Sequence, residues 1–175
     1  LLQSSAASDV YKRQIECSLS LGVPTISIII GEGGSGGAIA LASSNKILML
    51  ENAIYSVISP EGCASILWRD PKKTLEAAKA MKLTSKDLLE LKIIDEIILE
   101  PIGGAHRDKD LTLLNLKKSL KTNLGELKDM TRQDIIAHRK NKFLNIGREK
   151  GLSSGSLSSE KLFSNSVKNF AAIKN

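Results

Sequence analysis

The chain has 175 residues, 42% apolar and 25% charged, with a formal net charge of +6. This is an ordinary globular composition, long enough for one domain with flanking segments. No apolar run approaches the roughly 18 residues of a membrane span, no signal peptide is visible, and two cysteines, Cys17 and Cys63, make neither a disulfide scaffold nor a four-ligand zinc site.

The expectation is therefore a cytoplasmic chain with no membrane contact. Charge is unevenly spread. Residues 1–102 carry 10 Lys+Arg against 12 Asp+Glu, and residues 103–175 carry 15 against 7. The basic excess reads as a solvated, lysine-rich helical face. The six aromatic residues do not interleave with the basic ones, so no stacking platform for nucleic acid is expected.

Residues 1–14 (LLQSSAASDVYKRQ) show no periodicity and have the look of a scar, outside the fold. Ile15–Leu21 reads as the end of a helix stopped at Gly22. Pro24 opens the apolar run Thr25–Ile30, whose β-branched content and continuity predict a strand buried on both faces, as in a parallel sheet. A glycine-rich turn follows at Gly31–Gly37, then a short, tightly packed helix over Ala38–Ser43. Lys46–Leu50 and Ile54–Ile58 read as strands. Ser59 caps a helix with Pro60 at its first position, running to Trp68. Asp70 caps another through Met81, and Thr84 or Ser85 caps a short one through Leu91. Ile93–Leu99 reads as a strand, ended by Pro101. Residues 103–107 form a loop. Leucines at 111, 114, 116 and 120 predict a helix over Asp108–Leu127, and a second follows Met130–Thr131, with Ile135, Ile136, Phe143 and Ile146 on one side. Residues 151–175 read as a loose tail. No internal repeat is visible. Strands alternate with helices up to residue 102 and helices alone follow, which predicts an α/β core with a helical C-terminal extension.

The chemistry concentrates in Gly31-Glu32-Gly33-Gly34-Ser35-Gly36-Gly37-Ala38. Five glycines in seven positions are costly to order. They suit a turn whose backbone N–H groups converge on a phosphate or a developing oxyanion, or one packed closely under a neighbouring helix. Gly31, Gly33 and Gly36 also match the dinucleotide pattern G-x-G-x-x-G, with Glu51 about twenty residues on. A Walker lysine is absent, and Ser35 has no convincing His and Asp partners for a hydrolase triad. His138 reads as part of an exposed helix face, His106 as a loop hydrogen-bonding residue, and Cys63 as core packing. No side-chain acid–base constellation emerges, so any chemistry here would rest on main-chain donors.

Three blocks carry a resemblance: Gly31–Ala38, Tyr55–Trp68 and Pro101–Arg107. Together they resemble the carboxyltransferase α subunits of the bacterial and plastid multi-subunit acetyl-CoA carboxylases, over about residues 15–150. The resemblance implies a crotonase-like fold of stacked ββα superhelical turns, partial here over 15–107, with a helical extension over 108–150 packing on a partner. It implies transfer of a carboxyl group from carboxybiotin on a biotin carrier protein to acetyl-CoA, giving malonyl-CoA. The implied partners are a carboxyltransferase β subunit in an α2β2 complex, the carrier protein and biotin carboxylase. No cofactor is implied on this chain, and zinc is expected only on the β subunit. Gly36 and Gly37 would donate N–H groups to the biotin ureido oxygen. Gly33, Gly34, Ser35 and Ala38 would shape the approach, and Ser59, Pro60, Glu61 and Gly62 would line the same pocket. The family's long N-terminal half has no counterpart here. The chain therefore reads as a C-terminal fragment, expected to be inactive without that half and the β subunit; a plant or algal source would place it in the plastid stroma.

Overall fold

The computed structural model describes residues 2–147. The chain divides into one unit of residues 1–143 and another of residues 144–175. The tail expected over 151–175 lies outside the described residues.

Helix α1 (Leu2–Ser20) leads into strand β1 (Ile26–Ile29). Next come β2 (Glu32–Gly34) and α2 (Ser35–Leu41), then β3 (Lys46–Leu50), β4 (Ile54–Ser56) and α3 (Pro60–Trp68). A 3-10 turn (Pro71–Lys73), α4 (Thr74–Met81) and α5 (Ser85–Glu90) precede β5 (Glu96–Ile98). Two longer helices follow, α6 (Lys109–Leu127) and α7 (Arg132–Asn145). The chain thus repeats a ββα path, once as β1–β2–α2 and again as β3–β4–α3, although the two stretches share no visible sequence similarity. The first strand of each unit enters one parallel sheet, ordered β1-β3-β5, and the second enters another, β2-β4. This is the stacked ββα arrangement that the resemblance implies.

The central strand shows why the sequence folds this way. Ile47, Leu48, Met49 and Leu50 are all buried, with Leu48 and Met49 at 0% exposure. Both faces of β3 are covered, which is what an unbroken apolar run needs. Each such side chain contributes about 1.5–3 kcal/mol by leaving water. Flanking β1 pairs Ile28 with Leu48, and β5 pairs Ile97 with Met49. Helix caps follow the sequence closely: Ser59 accepts from the Gly62 N–H, Asp70 from Lys72, Thr84 from Asp87 and Asp108 from Leu111.

Some elements differ from expectation. Residues 2–14, expected to lie outside the fold, belong to α1, which packs against α2. Strand β2 arises inside what reads as a turn. The strand expected over Ile93–Leu99 shrinks to Glu96–Ile98, because the N–H groups of Ile93 and Ile94 turn back to the Leu88 carbonyl and close α5. The helix expected from Asp70 begins as a 3-10 turn before α4.

One buried charge ties these parts together. The Arg139 side chain, on α7, is 0% exposed. It donates to the carbonyls of Ser18 (2.6 Å), Leu19 (3.3 Å), Leu21 (2.8 Å) and Val23 (2.9 Å), and twice to Asn45 Oδ1 (2.6 and 3.2 Å). Every N–H of the guanidinium is used. The acceptors include the last carbonyls of α1, which a helix leaves without partners and which attract a cation. Asn45, equally buried, also accepts from the Thr25 N–H and hydroxyl and donates to the Ile135 carbonyl.

His138, read from sequence as exposed, is half-buried beside this knot. Its Nδ1 stands 3.4 Å from Asn45 Nδ2, so the neutral ring accepts there. Burial lowers its pKa, and Lys46, Lys142 and Arg139 lower it further against the opposing pull of Asp95. Protonation would cost the Asn45 hydrogen bond and add a cation to a cationic corner. The unfolded imidazole titrates near 6.5, so stability is intact above that pH. It falls as the pH drops from there through the folded-state value. Thermal melts from pH 7.5 to 5 should show this loss. His138→Gln, which stays neutral, should flatten the profile in that window, and an unchanged slope would refute the assignment.

Candidate functional site

The glycine turn is built by the second sheet. Strand β2 pairs in parallel with β4, in the register Glu32↔Ile54, Gly33↔Tyr55 and Gly34↔Ser56. Each strand then runs into a helix. From Gly34 the chain enters α2 at Ser35-Gly36-Gly37, and from Ser56 it enters α3 at Ser59-Pro60. Parallel pairing therefore sets both sequence blocks, Gly33–Ala38 and Ser59–Gly62, off the same end of one small sheet. The pairing makes neighbours of Glu32–Gly34 and Ile54–Ser56, more than twenty residues apart in the chain.

Within the turn, Ser35 has φ +65°, the left-handed region that an L-residue adopts at a cost of about 1–2 kcal/mol. This redirects the backbone between β2 and α2. The Gly34 N-cap gives α2 no side-chain hydrogen bond. The N–H groups of Gly36 and Gly37, in the first helical turn, are thus uncapped main-chain donors. At seven residues, α2 has only a small macrodipole, so the donors themselves matter more than the helix.

The other glycines do different work. A Cβ on Gly33 would stand 3.0 Å from the Tyr55 ring, 3.3 Å from Ile29 and 3.6 Å from the Ile54 carbonyl. Gly33 is there because Tyr55 lies across it. A Cβ on Gly36 or Gly37 would stand 3.2 or 3.4 Å from the ring of Tyr11, on α1. Close packing under a neighbouring helix, the alternative reading of this turn, therefore also holds. Gly31 and Gly34 have open space around them. At Gly62 a Cβ would press on Ile58, whose side chain lies against the α3 entrance.

Tyr55 is the residue that sequence reading passed over. Alternation along β4, counted from the Gly33↔Tyr55 pair, would have put it over the turn. Burial pushes its phenol up from the ordinary value. An apolar cavity of about 270 Å³ runs between Tyr55, Gly33, Ala38 and the edge strand β1.

His106 stays apart, in an exposed loop. With Ile30, Asn52 and Glu100 it lines a separate cavity of about 590 Å³. Burial acts to raise the Glu100 carboxyl. Hydrogen bonds from Asn52 and the Ala105 N–H, with the His106 charge, outweigh it and lower the pKa below the usual range. Glu100 thereby pins the loop to the end of β3. Cys63 is half-buried in α3. No group of three or more His, Cys, Asp or Glu suited to a metal occurs among the described residues. The dinucleotide pattern is not realised, because β2 interrupts the direct strand-to-helix turn it requires. Glu51, its acidic partner, is engaged instead with the Glu100 N–H and, through its carbonyl, with Ser85.

Residues 4–147 match the family model described as acetyl co-enzyme A carboxylase carboxyltransferase-like. The acetyl-coenzyme A carboxylase carboxyl transferase subunit α of Pelagibacter ubique is 72% identical over 144 residues, 82% of this chain and 39% of that protein. Its counterpart in Zymomonas mobilis is 57% identical over 140 residues, 80% of this chain and 45% of that protein. The chain spans less than half the length of these relatives. Among solved structures, a Pseudomonas malonate decarboxylase hetero-tetramer in complex with coenzyme A aligns with a TM-score of 0.57 at 16% identity, over 98% of this chain and 58% of that one. A hetero-dimer of the same enzyme aligns at 0.59 and 14% identity, over 83% and 56%. The fold is crotonase-like.

The glycine environments separate two adjacent substitutions. Gly33→Ala should destabilise the chain by about 1–3 kcal/mol through overpacking against Tyr55. Gly34→Ala, with open space and an extended backbone, should stay within about 0.5 kcal/mol of wild type. Denaturant melts of both variants check this, and equal losses would show that Tyr55 does not constrain the turn.

Proposed function

This chain belongs to the acetyl co-enzyme A carboxylase carboxyltransferase-like family, and we propose that it serves carboxyl transfer from carboxybiotin to acetyl-CoA. The product would be malonyl-CoA, formed in the first committed step of fatty acid synthesis. The observation that supports the reading is the pair of uncapped N–H groups at Gly36 and Gly37 where β2 runs into α2.

Carboxybiotin, presented by a biotin carrier protein, supplies the carboxyl group, and its freed ureido nitrogen then accepts a proton from the acetyl methyl. The chain's own contribution is electrostatic. Gly36 and Gly37 donate to the ureido oxygen as negative charge grows there, a stabilisation realised mainly in the transition state. This needs no side-chain base, in keeping with the absence of an acid–base constellation around the turn. Gly33, Gly34, Ser35 and Ala38 keep the approach narrow, and Ser59, Pro60, Glu61 and Gly62 form the adjoining wall.

A carboxyltransferase β subunit would complete the site in an α2β2 assembly with its own zinc, and biotin carboxylase would recharge the carrier. The half-buried state of all four β1 residues supports a partner surface, since parallel strands are normally covered on both faces. Ile30, at 68% exposure, continues that edge. A bacterial cytoplasm is the compartment this reading implies.

Co-purification with a carboxyltransferase β subunit and with the N-terminal half that the resemblance implies, followed by malonyl-CoA-dependent carboxyl transfer to a biotin derivative, tests the proposal. In an active complex, Gly37→Val keeps its N–H but adds a side chain that presses on Tyr11 and turns the donor away, so kcat should fall by about 100-fold, the typical cost of a misaimed catalytic group. Wild-type transfer by that variant would sink the assignment.

A further inference from the structure

We infer that Arg139 is a positioning residue for the glycine turn, acting through the α1–β1 hinge to hold α1 against α2 and so to aim the Gly36 and Gly37 N–H groups. Its part in catalysis rests on the function proposed above.

The chemistry of its partners carries the inference. Arg139 is wholly buried, yet each acceptor is an uncharged oxygen. A buried cation without a carboxylate does not balance charge; what it can fix is geometry. Four main-chain carbonyls, at residues 18, 19, 21 and 23, converge on one planar fork. Ser18 and Leu19 belong to the last turn of α1, and Leu21 and Val23 to the five-residue link to β1. The Asn45 side chain adds the start of β3, so the hinge is referenced to the central strand. Lysine, with a single ammonium, cannot satisfy this fan of acceptors.

The hinge matters because of what lies at each end of it. Beyond Ser18, α1 packs on α2, and at Tyr11 it touches Gly36 and Gly37. Beyond Val23, β1 runs straight to Gly31. Seven residues of helix separate Ser18 from Tyr11, about 10 Å. A hinge rotation of about 6° would therefore shift α1 by about 1 Å at the glycines. The inference requires the turn to follow α1, and a misplacement of about 1 Å at a catalytic donor can cost about 100-fold in rate. The β1–β3 register need not change for this to happen.

The test uses the full chain carrying Arg139→Lys. The Gly36 and Gly37 amide resonances should shift, and the α2 amides of Ile39–Leu41 should exchange about tenfold faster or more, while Leu48 and Met49 on β3 keep their protection. A purely structural role would instead lower protection everywhere in step. Unmoved α2 amides in a folded variant would overturn the inference. If Arg139→Lys loosens the whole chain, Asn45→Ala decides by the same comparison; it removes the side-chain bonds to Arg139, Thr25, Ile135 and His138 but leaves the four main-chain carbonyls on Arg139. Selective loosening of α2 supports the inference, and any other pattern overturns it. In the complex with the β subunit and the N-terminal half, Arg139→Lys should lower kcat by about 10- to 100-fold with KM for malonyl-CoA unchanged. Absence of transfer by the wild-type complex would count against the proposed function alone, because the amide readouts judge the positioning role independently.

Discussion

The structure depends on a guanidinium held entirely by neutral oxygens. Arg139 gathers the end of α1, the entry to β1 and the start of β3 around one side chain. Removing a charge of this kind from water costs several kcal/mol unless every donor is satisfied. Here all are, and no buried side-chain polar atom lacks a partner among the described residues. The cost of breaking the set is therefore high, and the hinge has one low-energy arrangement. Asn45 extends the network to Thr25 and Ile135, so that helix α7 clamps the N-terminal ends of two neighbouring strands. The candidate site sits at the opposite ends, where β1 leaves its sheet for β2. One end of the strands is locked, and the glycine turn lies at the other.

Other polar links extend the attachment. Glu96 on β5 accepts from Ser119 and Asn123 of α6, both at 2.5 Å. Lys142 of α7 pairs with Asp95 just before β5, and Lys46 at the start of β3 pairs with Glu126 of α6. The helical extension is thus fastened by directional contacts to strand ends. Arg139 and Lys142, both within the basic C-terminal part, are buried and half-buried against partners, so part of that charge is structural.

Much of the core was legible from residues alone. Strand β3 matches the expected Lys46–Leu50 because an unbroken apolar run between Asn45 and Glu51 has one good solution in a parallel sheet. The caps at Ser59 and Asp70, and Thr84 of the Thr84-or-Ser85 pair, matched because a short polar side chain before a helix has a local job that needs no tertiary information. Where pairing partners decide, the sequence was silent. Three residues, two of them glycine, have no strand preference, and β2 exists only because β4 lies beside it. Helix α1 was missed over residues 2–14 because its weak periodicity gives no signal. His138 looked exposed because its neighbours in the chain are polar; only the fold brings it to Asn45. In the turn, nothing in the sequence showed how the glycines differ in what they pack against. Gly33 accommodates Tyr55, Gly36 and Gly37 lie under α1 with uncapped N–H groups, and Gly34 is free.

Whether those two N–H groups are the working donors can be observed directly. The measurement is amide NMR of the isotopically labelled chain, in complex with a carboxyltransferase β subunit, titrated with a soluble biotin derivative. The account predicts saturable downfield shifts of the Gly36 and Gly37 amide protons, with smaller changes at Ser59–Gly62 and none at Gly103–His106. Saturable binding that shifts the 103–106 loop and leaves Gly36 and Gly37 unmoved would contradict it.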